Sequence, residues 1–146
     1  MSATNAFENP LLDLIFTNVS LANVGDVTGL VQSTTAGSFY ISLHTSDPGE
    51  AGTQSTNECA YTSYARVAVA RSGAAWTVTN DTAENAAAVT FPQATGGSET
   101  ATHFGIGSAS TGTGNLFLSG ALNSSLAISS GITPEFAAGA LDCTVA

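Results

Sequence analysis

Within 146 residues the chain carries eleven acidic side chains against two basic ones, Arg66 and Arg71, for a formal net charge of −9. Neutralising nucleic-acid phosphates needs a basic face that two arginines do not supply, and an anionic membrane surface is disfavoured for the same reason. Only 9% of the residues are charged, against about a quarter in an ordinary globular chain, so small and hydroxyl residues make up much of the surface, as in secreted β proteins or in subunits covered by neighbours.

The first predicted element is a helix over residues 4–18. Thr4 or Asn5 can cap it and Glu8 complements its N-terminal dipole. Pro10 suits a first turn, which places the regular helix from about Asn9 onward. Leu11, Leu12, Ile15, Phe16 and Val19 recur at helical spacing as one apolar face. That face either caps the open end of a β core or reaches a neighbouring subunit. Residues 20–37 show no period and read as an extended arm, with a short strand near Val27–Val31 or a partner surface as the two readings.

A strand follows in Ser38–His44, where Phe39, Ile41 and Leu43 alternate with Tyr40, Ser42 and His44. The alternation assigns the first row to the core and the second to the outside. Asp47-Pro48-Gly49 then reverses the chain, with Asp47 placed to close an Asx turn. Further strands are expected in Tyr61–Arg71, Trp76–Val78, Ala87–Phe91, Ala101–Ser108, Asn115–Leu122, Leu126–Ile128, Pro134–Phe136 and Ala140–Val145, with NDTAENAA (80–87) as a polar connection. Short strands at regular spacing after a single helix predict a mainly β chain, an antiparallel β-sandwich of jelly-roll type. The helix and arm occupy 1–37 and the β domain 38–146.

Little in the residues points to catalysis. A Ser-His-Asp set from His44 or His103, Asp47 and one of many serines can be drawn, but no Gly-x-Ser-x-Gly elbow sits between a strand and a helix. His44 and His103 read as strand-surface residues, or as a cross-strand pair holding the turn. The loop acids Asp47, Glu50, Glu58, Asp81 and Glu84 lack the repeat of a calcium loop. Cys59 and Cys143 read as two buried thiols rather than a disulfide framework, and no zinc spacing is present. The start, MSATNAFENP, lacks the basic region of a signal peptide, and no run is long enough to span a bilayer. No cofactor, metal or small-molecule substrate is expected. Arg66 and Arg71 are expected to pair with acids or carbonyls, with a partner chain as the alternative.

Taken in order, FYISLHTSDPGEAG, YTSYARVAV, AVTFPQAT, THFGIGSASTGTGNLFLSGAL and FAAGALDCTV resemble a family of small tailed-phage virion proteins over residues 38–146. Leu43–Pro48, Tyr64-Ala65-Arg66 and Thr102–Ile106 are the most specific pieces. Members are labelled tail-fibre-like or minor structural proteins, and some are capsid cement (decoration) proteins. The resemblance implies an oligomeric β-sandwich virion subunit without catalysis. The favoured expectation is a cement protein on the capsid exterior, a homotrimer bound to the major capsid protein. The intersubunit contacts would come from Phe7, Leu11, Leu12, Ile15, Phe16, Arg66 and Arg71, and removing residues 1–19 would weaken particle binding while the β domain still folds. The alternative is a tail-associated fibre protein that binds host glycan through Tyr61, Tyr64 and Trp76.

Overall fold

The computed structural model describes residues 3–145. As the strand pattern predicts, the chain is mainly β, with antiparallel sheets and one short N-terminal helix. It divides into two compact units. One holds the described residues up to Gly37, Ala70–Val89 and the described residues from Phe136; the other holds Ser38–Val69 and Thr90–Glu135.

In the first unit, helix α1 runs Asn5–Leu12. It begins four residues before the expected start and carries Pro10 in its second turn. Proline there forfeits one intrahelical bond. The first turn is nonetheless held by the Thr4 carbonyl, which accepts from the N–H of Phe7 (2.7 Å) and Glu8 (2.9 Å). A wider π-type turn follows over Asp13–Thr17, ended by Asn18 in the left-handed region. Leu12 and Phe16 are buried, and the Phe16 ring lies 4.7 Å from that of Trp76.

Trp76 opens strand β3 (Trp76–Thr79), which pairs with β4 (Thr82–Asn85), itself paired with β9 (Asp142–Thr144). The stretch expected to be a polar connection is therefore a hairpin. Its two-residue loop, Asn80–Asp81, puts Asn80 at φ 55, the conformation that tight hairpins demand and asparagine tolerates. Asn85 ends β4 fully buried. Its amide donates to the carbonyls of Ala87 (2.7 Å) and Ala137 (2.8 Å), and its oxygen accepts from the N–H of Ala140 and Leu141. Both donors and both acceptor sites are filled, which is what burial of a carboxamide requires.

The second unit is built on a sheet in the order β2-β1-β6-β7, formed by Val67–Ala70, Ser38–His44, Ser98–Gly107 and Leu116–Ser129. A two-residue ladder joins β5 (Val89–Thr90) to β8 (Glu135–Phe136), with Val89 and Phe136 belonging to the first unit and Thr90 and Glu135 to the second. Phe39, Ile41 and Leu43 are buried as expected, with Ile41 opposite Ile106 and Leu43 opposite Phe104. Two expectations change. Residues 61–66 are not strand: Ser63 sits at φ 82 and the Tyr64 N–H returns to the Tyr61 carbonyl. The two strands expected after the 110–114 turn are one 14-residue β7. Its register jumps from Leu126 opposite Ala101 to Ala121 opposite His103, so residues 122–125 bulge out of the ladder.

Candidate functional site

The polar residues singled out by sequence mostly brace the fold. Ser42 and His44, expected outside, are each 0% exposed. His44 Nδ1 lies 2.8 Å from the Thr56 carbonyl, so it carries the proton, and Nε2 then accepts from the Ser42 hydroxyl at 2.8 Å. The pair fits because Gly105 stands opposite Ser42. A Cβ at Gly105 would come within 2.7 Å of both His44 Nε2 and Ser42 Oγ. The serine-to-imidazole bond resembles that of a hydrolase, but the third partner is a carbonyl, and both side chains are closed to solvent. Asp47 is elsewhere: its Oδ1 accepts from the Gly49 N–H at 2.8 Å, the Asx turn read from sequence. His44 and His103 do face each other across β1 and β6, although the His103 ring bonds to Thr102 Oγ1.

Burial holds the His44 pKa below its ordinary 6.5, offset in part by the Thr56 carbonyl and Glu58. The folded state therefore binds the proton less readily than the unfolded one. The stabilisation from a neutral His44 is complete above pH 6.5 and is lost as pH falls from there towards the folded pKa. Melting temperature is expected to drop between pH 7.5 and 5.5, and His44→Gln, though less stable throughout, to flatten that slope. An unchanged slope in the variant would rule out His44 as the cause.

Arg66 is the second brace. Its guanidinium takes the Glu58 carboxylate in a fork, Nε to Oε1 and Nη2 to Oε2, both at 2.7 Å. It also donates to the carbonyls of Ala109 (2.9 Å) and Gly112 (2.7 Å). The Tyr64 hydroxyl donates to the same carboxylate at 2.9 Å and accepts from the Leu43 N–H. Desolvation pushes the Tyr64 pKa far up, and the Glu58 hydrogen bond raises that of Arg66. The Tyr-Ala-Arg motif thus ties the 109–112 turn to the segment beside β1. Arg71 donates to the carbonyls of Leu14 (2.7 Å), Ile15 (2.6 Å) and Ala36 (3.0 Å). It places positive charge on carbonyls at the end of the N-terminal helical segment, where it is favoured. Both arginines thus make the carbonyl and acid contacts expected of them. Glu99 accepts from the N–H of Ala60 and Tyr61. Cys59 and Cys143 are free and buried, each with its thiol pKa pushed up to about 12, chiefly by desolvation. Among the described residues no group of three or more His, Cys, Asp or Glu is placed to hold a metal ion.

Two surfaces remain. In the first unit, the residue 19–31 segment folds on itself through Leu21 and Leu30, whose N–H and carbonyl groups exchange hydrogen bonds at 2.9 and 2.8 Å. Asp26 Oδ1 caps the bend by accepting from the N–H of Thr28 and Gly29. Outside the bend stand Val19, Val24, Val27, Leu30 and Val31, with Val27 at 81% and Val31 at 66% exposure. The 20–37 stretch is therefore a small closed loop with an apolar exterior rather than a strand. Of the contact residues expected on the helix, Phe7 is exposed, Leu11 and Ile15 are half-buried, and Leu12 and Phe16 fill the unit's interior. Loss of residues 1–19 would remove part of that interior, so the truncation does not separate binding from folding.

In the second unit, a groove of about 620 Å³ lies between the 47–52 turn and residues 116–121 of β7, with Asp47, Glu50 and His103 in its lining. Phe117 and Leu118 beside it are 54% and 42% exposed. Sequence reasoning missed this surface. The available signals, the acids of the 47–52 turn and the uncharged stretch 116–129, lie far apart in the sequence, and nothing local joins them. The aromatics expected to stack on glycan do not line a surface: Tyr61 and Trp76 are buried, and Tyr64 is taken up with Glu58 and Phe91.

Buried polar clusters that pin turns, together with exposed apolar surfaces, define a small structural module of antiparallel sheets. The chain belongs to the Gp80 family, described as podophage GP4 fiber I protein gp80, whose profile matches residues 2–144. It is a structural protein of a bacteriophage virion. Among curated proteins none matches it.

Proposed function

We propose that the chain is a non-enzymatic subunit of a virion fibre that assembles with copies of itself through the 19–31 loop and Phe7. The family match carries this reading over a capsid-cement one, because the matching family is a fibre family. The loop supports the assembly surface. A cluster of exposed valines on a charge-poor loop is costly for a solitary chain and stable when covered. Its one acid, Asp26, already serves the bend. Assembly as a trimer, the state implied by the resemblance, buries the loop without requiring any side-chain cation.

Antibody-labelled particles imaged by electron microscopy test the placement. Label at the tail supports the fibre subunit, a regular pattern over the head supports a cement role instead, and unlabelled particles sink both. Sedimentation of the purified chain tests the surface. The wild type is expected to sediment as an oligomer, and Val27→Asp with Val31→Asp to shift it towards monomer, with a far-UV circular-dichroism spectrum that stays that of the folded wild type. A wild type that stays monomeric at tens of micromolar would remove the loop from the assembly.

A further inference from the structure

We infer that ionic strength gates the self-assembly proposed above: copies join against their own charge, and the joined state takes up cations from solution that separate chains do not hold. The inference rests on that reading of the loop and adds what controls it. Interfaces between charged surfaces usually set opposite charges against each other across the contact. This chain has no side-chain cation to offer. It contains no lysine. Arg66 is forked to Glu58 and donates to the Ala109 and Gly112 carbonyls. Arg71 is held by the carbonyls of Leu14, Ile15 and Ala36. The two histidines add no formal charge at pH 7. A net charge of −9 therefore meets its like whenever two copies approach, and net charge far from zero keeps chains apart.

The unit that carries the loop holds six acids, Glu8, Asp13, Asp26, Asp81, Glu84 and Asp142, against Arg71 alone. Asp26 is exposed within the loop, among the valines that assembly would cover. It is fixed there, because its Oδ1 accepts from the N–H of Thr28 (2.8 Å) and Gly29 (3.0 Å). Glu84 and Asp142 are exposed and stand directly opposite each other in the β4–β9 ladder, where like charges repel. Among the described residues no three acids, histidines or cysteines are grouped to hold an ion, so the cations gather diffusely around the joined copies. Screening then sets the outcome. Charges repel over about 30 Å at 0.01 M salt but over only about 8 Å at 0.15 M. The valine contacts are apolar and do not weaken with salt. Assembly therefore strengthens as salt rises, the opposite of an interface held by ion pairs.

Sedimentation equilibrium of the purified full chain tests this. As sodium chloride rises from about 0.02 to 0.3 M, the dissociation constant of the oligomer is expected to fall about tenfold. Asp26→Asn with Glu84→Gln and Asp142→Asn removes three charges and keeps an acceptor at the bend. That variant is expected to assemble at low salt as the wild type does at high salt, with less than about a threefold response. Circular dichroism and Trp76 fluorescence check that it is folded, and the wild-type salt series stands without it. Magnesium and calcium chloride, each at about 5 mM, are expected to strengthen wild-type assembly alike. Assembly that weakens with salt, or ignores it, overturns the inference. So does a folded variant whose response equals the wild type's, which would assign the effect to salting-out of the apolar contact. A response to calcium alone would mean a built ion site and overturn diffuse uptake. A wild type that stays monomeric throughout the salt series removes the self-assembly reading and this inference with it; an oligomer with the wrong salt response removes the inference only.

Discussion

Replacing Arg66 with alanine is expected to cost about 3 to 5 kcal/mol of stability, the range for removing one partner of a buried ion pair. For a chain of this size that is a fall of roughly 10 °C in melting temperature. The Arg66 side chain is 3% exposed and that of Glu58 16%. Truncation leaves the carboxylate facing Tyr64 with no cation, and the Ala109 and Gly112 carbonyls without their donor. Arg66→Lys keeps the charge but not the fork, so most of the loss should persist. Arg66→Met combined with Glu58→Gln removes the stranded charge and should recover part of it. Thermal melts of the four proteins test this series. An alanine variant within about 1 °C of wild type would mean that the network is no stronger than an exposed pair.

Phe16→Ala is expected to cost about 3 to 5 kcal/mol through the cavity it opens beside Trp76. Phe7→Ala, nine residues earlier on the same segment, should stay within about 0.5 kcal/mol. Trp76 is the chain's single tryptophan, so its fluorescence reports the first unit directly. The pair of substitutions separates the two roles that the apolar helix face left open. Phe16 belongs to the interior and Phe7 to the outside, and the reverse order of effects would refute that division.

How much was legible depended on whether a residue's fate was set locally. Ser38–His44 and its turn read correctly because alternation and the Asp-Pro-Gly signal act within a few residues. Ser42 and His44 did not, because their burial depends on Gly105, which stands opposite Ser42 and leaves room for both side chains. The Gly-Ile-Gly run was visible, but its pairing partner was not. β4 was missed because its residues are polar; the Asn-Asp loop between two alternating runs was the available sign, and Asn85 is the brace lost with it. β7 looked like two strands because Asn123–Ser125 are polar, and those residues lie in the bulge. Tyr61–Arg66 has strand composition, yet Ser63 turns it so that Tyr64 and Arg66 can meet Glu58. The surfaces were least legible. Valines in a stretch without period give no sign of which way they face until Leu21 and Leu30 close the loop.

The two thiols carry a consequence of their own. Cys59 lies in one compact unit and Cys143 in the other, and each is shielded and protonated. Each therefore reacts with an alkylating reagent only while its surroundings are open, so its labelling rate measures the opening of that one unit. The chain comes with a separate clock for each half. Reading both under pulling load or in acid would reveal which half yields first.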